Sequence, residues 1–184
     1  MLGRILSAGP EGTCKIRWPG RPGRRRTDRR GGGDRLRYWD DMKAGEVFEL
    51  GSHTMDKERM LSFAREFDPQ PFHTDEEAAK ASIWGGLIAS GWHTGSTLMR
   101  LFYDGFLKDA ASLGSPGIDD LRWVKPVRPG DTLTGRLTIV EVTPSRSRPD
   151  RGIIRSTMEL RNQRDEVVMT TSGVNFFSRR PGSR

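Results

Sequence analysis

Ser90-Gly91-Trp92-His93-Thr94-Gly95-Ser96-Thr97-Leu98-Met99-Arg100-Leu101-Phe102-Tyr103-Asp104-Gly105-Phe106-Leu107 is the stretch on which the fold turns. Ser90 is an N-cap residue, and the spacing predicts one long helix from Ser90 to about Ala111. Before Asp104 the only charge after the cap is Arg100. A helix so apolar on most sides belongs in a core. Gly91 and Gly95 let neighbouring backbone come close.

Downstream, the period changes from helical to twofold. Leu133, Gly135, Leu137 and Ile139 alternate with Thr134, Arg136 and Thr138. Ile154, Ser156, Met158 and Leu160 alternate with Arg155, Thr157 and Glu159, and Val167 to Phe177 makes a further strand. Such strands build an antiparallel sheet with one wet face. The turns fall at Pro129-Gly130-Asp131 and Gln163-Arg164-Asp165-Glu166, and Pro144 to Gly152 reads as a basic loop. Upstream, Val47 to Leu50 reads as a short strand, and Asp56 caps a helix ending near Phe67. One buried helix and several one-sided strands are satisfied together by a sheet curled around the helix. The expected class is α+β: a single hotdog domain over 37–180, with an antiparallel sheet wrapped around a long central helix.

Residues 1–36 stand apart. Residues 1–37 carry 11 Lys and Arg against 3 Asp and Glu, whereas the remainder carries 20 against 21. The basic character therefore belongs to the leader. Its Arg, Gly and Pro content cannot offset the entropy of ordering, which predicts a disordered basic extension. Trp18 is its only aromatic residue, which favours a plain extension over a nucleic-acid-binding arm. The single Cys14 excludes an internal disulfide framework and a cysteine-rich zinc site. No apolar run approaches the roughly 18 residues of a membrane span, so the expected compartment is the cytoplasm. The three histidines share no metal-ligand spacing, so no metal site is expected, and His93 reads as a satisfied core residue.

The chemistry concentrates in Asp68-Pro69-Gln70-Pro71-Phe72-His73. Pro69 and Pro71 bar Asp68 and Gln70 from the helical region. The segment therefore reads as a stiff, non-helical turn, followed by a capping box at Thr74-Asp75-Glu76-Glu77. A carboxylate and an imidazole held on a rigid loop suit general acid–base work.

Phe63-Ala64, then Asp68 to His73, then Gly86-Leu87-Ile88-Ala89-Ser90-Gly91, resemble the hydratase signature of MaoC-like dehydratases and (R)-specific enoyl-CoA hydratases. Leu121-Arg122-Trp123-Val124-Lys125-Pro126-Val127-Arg128-Pro129-Gly130-Asp131 resembles their strand-and-turn block. The resemblance covers roughly residues 37–178. It implies a hotdog dimer acting on acyl-CoA thioesters, with Asp68 and His73 as the catalytic pair. It also implies that the Gly91 amide faces the thioester oxygen. No cofactor is implied beyond the coenzyme A of the substrate. The chain departs from the family pattern at Glu66-Phe67 for Ser-Gly, Gln70 for Asn and Ser90 for His. Gln70, Phe72, Trp84, Ser90 and Trp92, with Phe67, are the candidates for contact with the acyl group. Alternatives are a hotdog thioesterase, whose carboxylate commonly sits on the central helix, and a non-catalytic acyl-CoA-binding subunit paired with a second hotdog chain.

Overall fold

The computed structural model describes residues 36–182. The basic leader through residue 35 lies outside the described residues.

In chain order the elements are β1 (Val47–Thr54), α1 (Lys57–Phe67), α2 (Pro71–Thr74), α3 (Glu76–Ala81), α4 (Gly91–Gly105), β2 (Ser112–Trp123), β3 (Thr132–Pro144), β4 (Arg151–Arg161) and β5 (Val167–Ser178). The five strands form one antiparallel sheet in the order β1-β3-β4-β5-β2. The alternation read from sequence holds on β3, where Leu133, Gly135, Leu137 and Ile139 are buried. Leu98, Leu101, Phe102 and Phe106 meet that face, with Leu160, Val168, Met169 and Phe177 in the same core. Truncating one of the core phenylalanines costs on the order of 3–5 kcal/mol. This is the hotdog arrangement: a sheet around a central helix.

Several boundaries differ from the sequence reading. The central helix stops at Gly105 rather than near Ala111, and Leu107–Asp109 form a separate 3-10 turn. A side chain at Gly105 would begin 2.6 Å from the Leu50 Cα, so this glycine lets the helix close on β1. Strand β1 runs on to Thr54, past a bulge between Glu49 and Gly51 that the period-two pattern conceals. The Asp68–His73 segment is not wholly irregular. Asp68 and Gln70 are non-helical, as their prolines require, but Pro71–Thr74 makes one helical turn with Pro71 at its first position. The cap of α3 is Asp75, not Thr74: its Oδ1 accepts from Glu77 N at 2.8 Å and Ala78 N at 2.9 Å. Thr74 instead donates its hydroxyl to the Gln70 carbonyl.

Strand β2 is the other departure. Its Gly114, Pro116 and Gly117 argue against a strand by composition, yet it pairs with β5 from Ser112 to Trp123 through three register shifts. It forms an edge of the sheet. Among the described residues no helix is long and apolar enough to cross a membrane.

Candidate active site

Helix α1 delivers Asp68. Asp56 caps its start, accepting from Arg59 N at 3.0 Å, and Met60, Leu61 and Ala64 anchor its inner face. Pro69 bars further helix, so Asp68 leaves as the C-cap with φ −155° and ψ 68°. Phe63 stacks on His93 of α4, with centroids 4.8 Å apart and planes 9° from parallel. That contact ties α1 to the central helix one turn before Asp68.

The α2 turn delivers His73. Its Nδ1 lies 2.9 Å from the Ile88 carbonyl oxygen. A carbonyl only accepts, so Nδ1 carries a proton, and in the neutral form of the ring the lone pair is at Nε2. Nε2 stands 3.3 Å from Asp68 Oδ2. His73 is buried, whereas the Asp68 carboxylate keeps partial access to solvent. The Ile88 carbonyl is itself fixed, because Ile88 N donates to Phe72 O and Ala89 N donates to Val127 O.

Both oxygens of Asp68 are spoken for. Gln70 Nε2 donates to Oδ1 at 2.8 Å, and Ser90 Oγ donates to Oδ2 at 2.7 Å. Burial pushes the carboxyl pKa up. The Gln70 and Ser90 hydrogen bonds, joined by the pull of His73 whenever that ring is protonated, outweigh it and hold the carboxyl below its ordinary value. Ser90 has two tasks. It is fully buried, it holds Asp68, and it caps α4 by accepting from Trp92 N at 3.2 Å. Gly91 opens that helix, where amides lack intrahelical acceptors and the dipole is positive.

Of the residues expected from sequence, Asp68, Gln70, His73, Ser90 and Gly91 thus gather at one place. Phe72 touches the His73 ring edge-on at 4.5 Å, but it packs with Leu61, Ala79 and Leu87 in a separate small cluster. Trp84 stands beyond Phe72, at 6.2 Å, and its carbonyl accepts from Arg128. Phe67 is exposed against Phe63. Trp92 is exposed and meets Trp123 edge-on at 5.4 Å.

Three features escape sequence reasoning. One is the Ile88 carbonyl that sets the His73 tautomer. Another is Trp123, whose indole N–H donates to the Gly91 carbonyl at 2.9 Å. The third is a cavity of about 390 Å³ between α4 and strands β2, β4 and β5, beginning at Trp92 and Gly95. His93 is buried as expected but is not satisfied: its Nδ1 has no hydrogen-bond partner. Burial, with the nearby charges of His53 and Arg59, lowers its pKa to about 4.

Comparison with known proteins places the chain in a family. The family model described as "MaoC like domain" matches residues 41–159. The chain belongs to the MaoC-like family. A MaoC-like dehydratase structure from Rhodospirillum rubrum superposes with a TM-score of 0.72 at 42% identity, covering 78% of this chain and 98% of that one. The Bacillus subtilis protein YdeM, itself uncharacterised, is 35% identical over 131 residues, 70% of this chain and 90% of YdeM. An (R)-specific enoyl-CoA hydratase from Rhodospirillum rubrum is 25% identical over 115 residues, 60% of this chain and 75% of the relative. The MaoC-like family thus includes hydratases, and hydratase or dehydratase chemistry is supported at family level.

Proposed function

We propose that the protein adds water reversibly across the double bond of a 2-enoyl-CoA, giving a 3-hydroxyacyl-CoA. The observation that carries this reading is the 3.3 Å approach of His73 Nε2 to Asp68 Oδ2 beside the first turn of α4. With Nδ1 engaged by Ile88, the lone pair at Nε2 and the ionised Asp68 converge on one water. Nε2 takes a proton as the water oxygen bonds to the β-carbon, and the resulting imidazolium faces the Asp68 carboxylate. The electron pair of the double bond moves to the thioester oxygen, which accepts from the Gly91 amide. Return of the proton to the α-carbon completes the addition. An oxyanion donor of this kind lowers a barrier by about 3 kcal/mol. Coenzyme A enters as part of the substrate.

A thioesterase finds less support. The one carboxylate on α4, Asp104, is bound to Arg100 on the exposed side of the helix, with Nε to Oδ2 at 2.7 Å.

The partner we propose is a second copy. Among the described residues strand β2 pairs only with β5, and its outer edge meets no other described strand. Beside it, Trp92, Met99 and Ile118 are 59%, 52% and 61% exposed. A twofold pairing of β2 edges covers both.

Loss of enoyl-CoA absorbance on hydration tests the reading, with Asp68→Asn and His73→Gln as controls. Equal rates in all three folded proteins would falsify it.

A further inference from the structure

The cavity beside α4 is apolar in most of its lining, with Leu98, Phe102 and Met169 among its walls; Trp92, Met99 and Ile118, the surface assigned above to the second copy, belong to the same lining. Its volume, about 390 Å³, lies within the range of small-molecule pockets. Among the described residues, no Lys, Arg, His, Asp or Glu lines it. Yet its floor holds two polar side chains that the fold does not use. Ser156 is only 3% exposed and lines the cavity, and its hydroxyl makes no hydrogen bond among the described residues. That hydroxyl is not sealed in either, because the buried atoms left without a partner are Trp39 Nε1 and His93 Nδ1. Asn175 lines the same cavity, and its amide likewise bonds to no described residue. Ser96 donates to Trp92 O, Ser112 accepts from Gly114 N, Ser115 donates to Val174 O and Thr171 to Asp120 O. Ser172 also lines the cavity, but along β5 it alternates with Thr171 and Gly173 and so belongs to the opposite face of the strand.

Position matters as much as polarity. Ser156 pairs with Gly173, which offers no side chain opposite it, and Asn175 pairs with Ile154. Ser156 and Asn175 are therefore diagonal neighbours on one face, about 7–8 Å apart, close enough for one ligand group to meet both. Trp123, which touches Gly91, pairs with Met169 on β5. Gly173 is four residues further along, so Ser156 sits about 13 Å along the sheet from the Trp123–Met169 pair beside Gly91. A decanoyl chain covers that span.

The geometry points to a binding site for an acyl group whose far end carries a neutral oxygen function, a hydroxyl or carbonyl, held by Ser156 and Asn175. A plain alkyl end leaves both polar groups desolvated without partners, which costs affinity. A carboxylate end meets no cation there. The inference deepens the hydratase reading and rests on it for the thioester end.

The test uses esters that cannot be hydrated. Dissociation constants of decanoyl-CoA and its ω-hydroxy counterpart are measured by calorimetry with the full chain, with Ser156→Ala and with Asn175→Leu. The native protein is expected to bind the ω-hydroxy ester about tenfold more tightly. Each substitution is expected to bring the two esters together by weakening the ω-hydroxy ester alone. Equal binding by the native protein overturns the inference, as does equal weakening of both esters in the variants. Failure of either ester to bind overturns it too. The water-addition reading stands or falls separately, on turnover by the Asp68 and His73 variants.

Discussion

Trp123 occupies the place where a side chain at Gly91 would begin, and its indole N–H holds the Gly91 carbonyl at 2.9 Å. The two residues are 32 positions apart, one at the end of an edge strand and the other at the start of the central helix. The amide assigned to the thioester oxygen is thereby positioned by the ring behind it.

Gly91→Ala is expected to drive its methyl into that ring. Overpacking of this kind costs about 1–3 kcal/mol of stability, and hydration falls more than stability does because the amide is displaced. Trp123→Phe keeps a ring but loses the donor, for about 1 kcal/mol. Trp123→Ala combined with Gly91→Ala restores space, so the double variant is more stable than the sum of the singles implies. Denaturant melts of the native protein, the two alanine singles, their double and Trp123→Phe check this.

Ser90→Ala removes one hydroxyl with two jobs. Loss of the cap costs about 1 kcal/mol. Loss of the hydrogen bond to Oδ2 also raises the Asp68 carboxyl from its lowered position. The acid limb of kcat/KM against pH therefore moves to higher pH. A profile that keeps its limb while the melt shifts contradicts the assignment.

His93 makes the fold sensitive to acid. Its pKa in the fold is about 4, against the ordinary imidazole value of 6.5 in an unfolded chain. Above pH 6.5 both states hold it neutral. As pH falls from 6.5 towards 4, the unfolded chain binds a proton that the folded chain refuses, and roughly 3 kcal/mol of stability drains away. His53, also lowered by burial and by Arg59, adds in the same direction. His93→Phe keeps a ring against Phe63 and is expected to flatten stability over this window. Urea midpoints measured at intervals across it provide the check.

The β2 edge gives a prediction of assembly. Ile118→Lys places a charge on the exposed apolar surface beside that edge. Light scattering is expected to find a dimer for the native protein and a monomer for the variant. A native monomer contradicts the symmetric pairing.

How much of this was legible beforehand follows from the range of each interaction. Asp56, Ser90 and the prolines around Asp68 act on backbone within a few residues, so their effects read directly from sequence. The buried faces of β3 and α4 are equally local, since periodicity alone reports them. Asp75 in place of Thr74 was a choice between adjacent caps, settled by which oxygen reaches two amides. The close approach of Leu50 to Gly105 leaves no local mark, and neither does the reach of His73 to Ile88. Strand β2 was obscured because its glycines and proline belong to bulges that let it follow β5. Trp92 and Trp84 look alike as aromatic neighbours of the site, yet tertiary packing sends one to the cavity and the other to the far side of Phe72.

The most direct test is the initial rate of crotonyl-CoA hydration by the native protein, Asp68→Asn and His73→Gln, with circular dichroism verifying the fold of each. The account predicts measurable hydration by the native protein and a fall of about a hundredfold or more in each variant. Unchanged rates in correctly folded variants would contradict it.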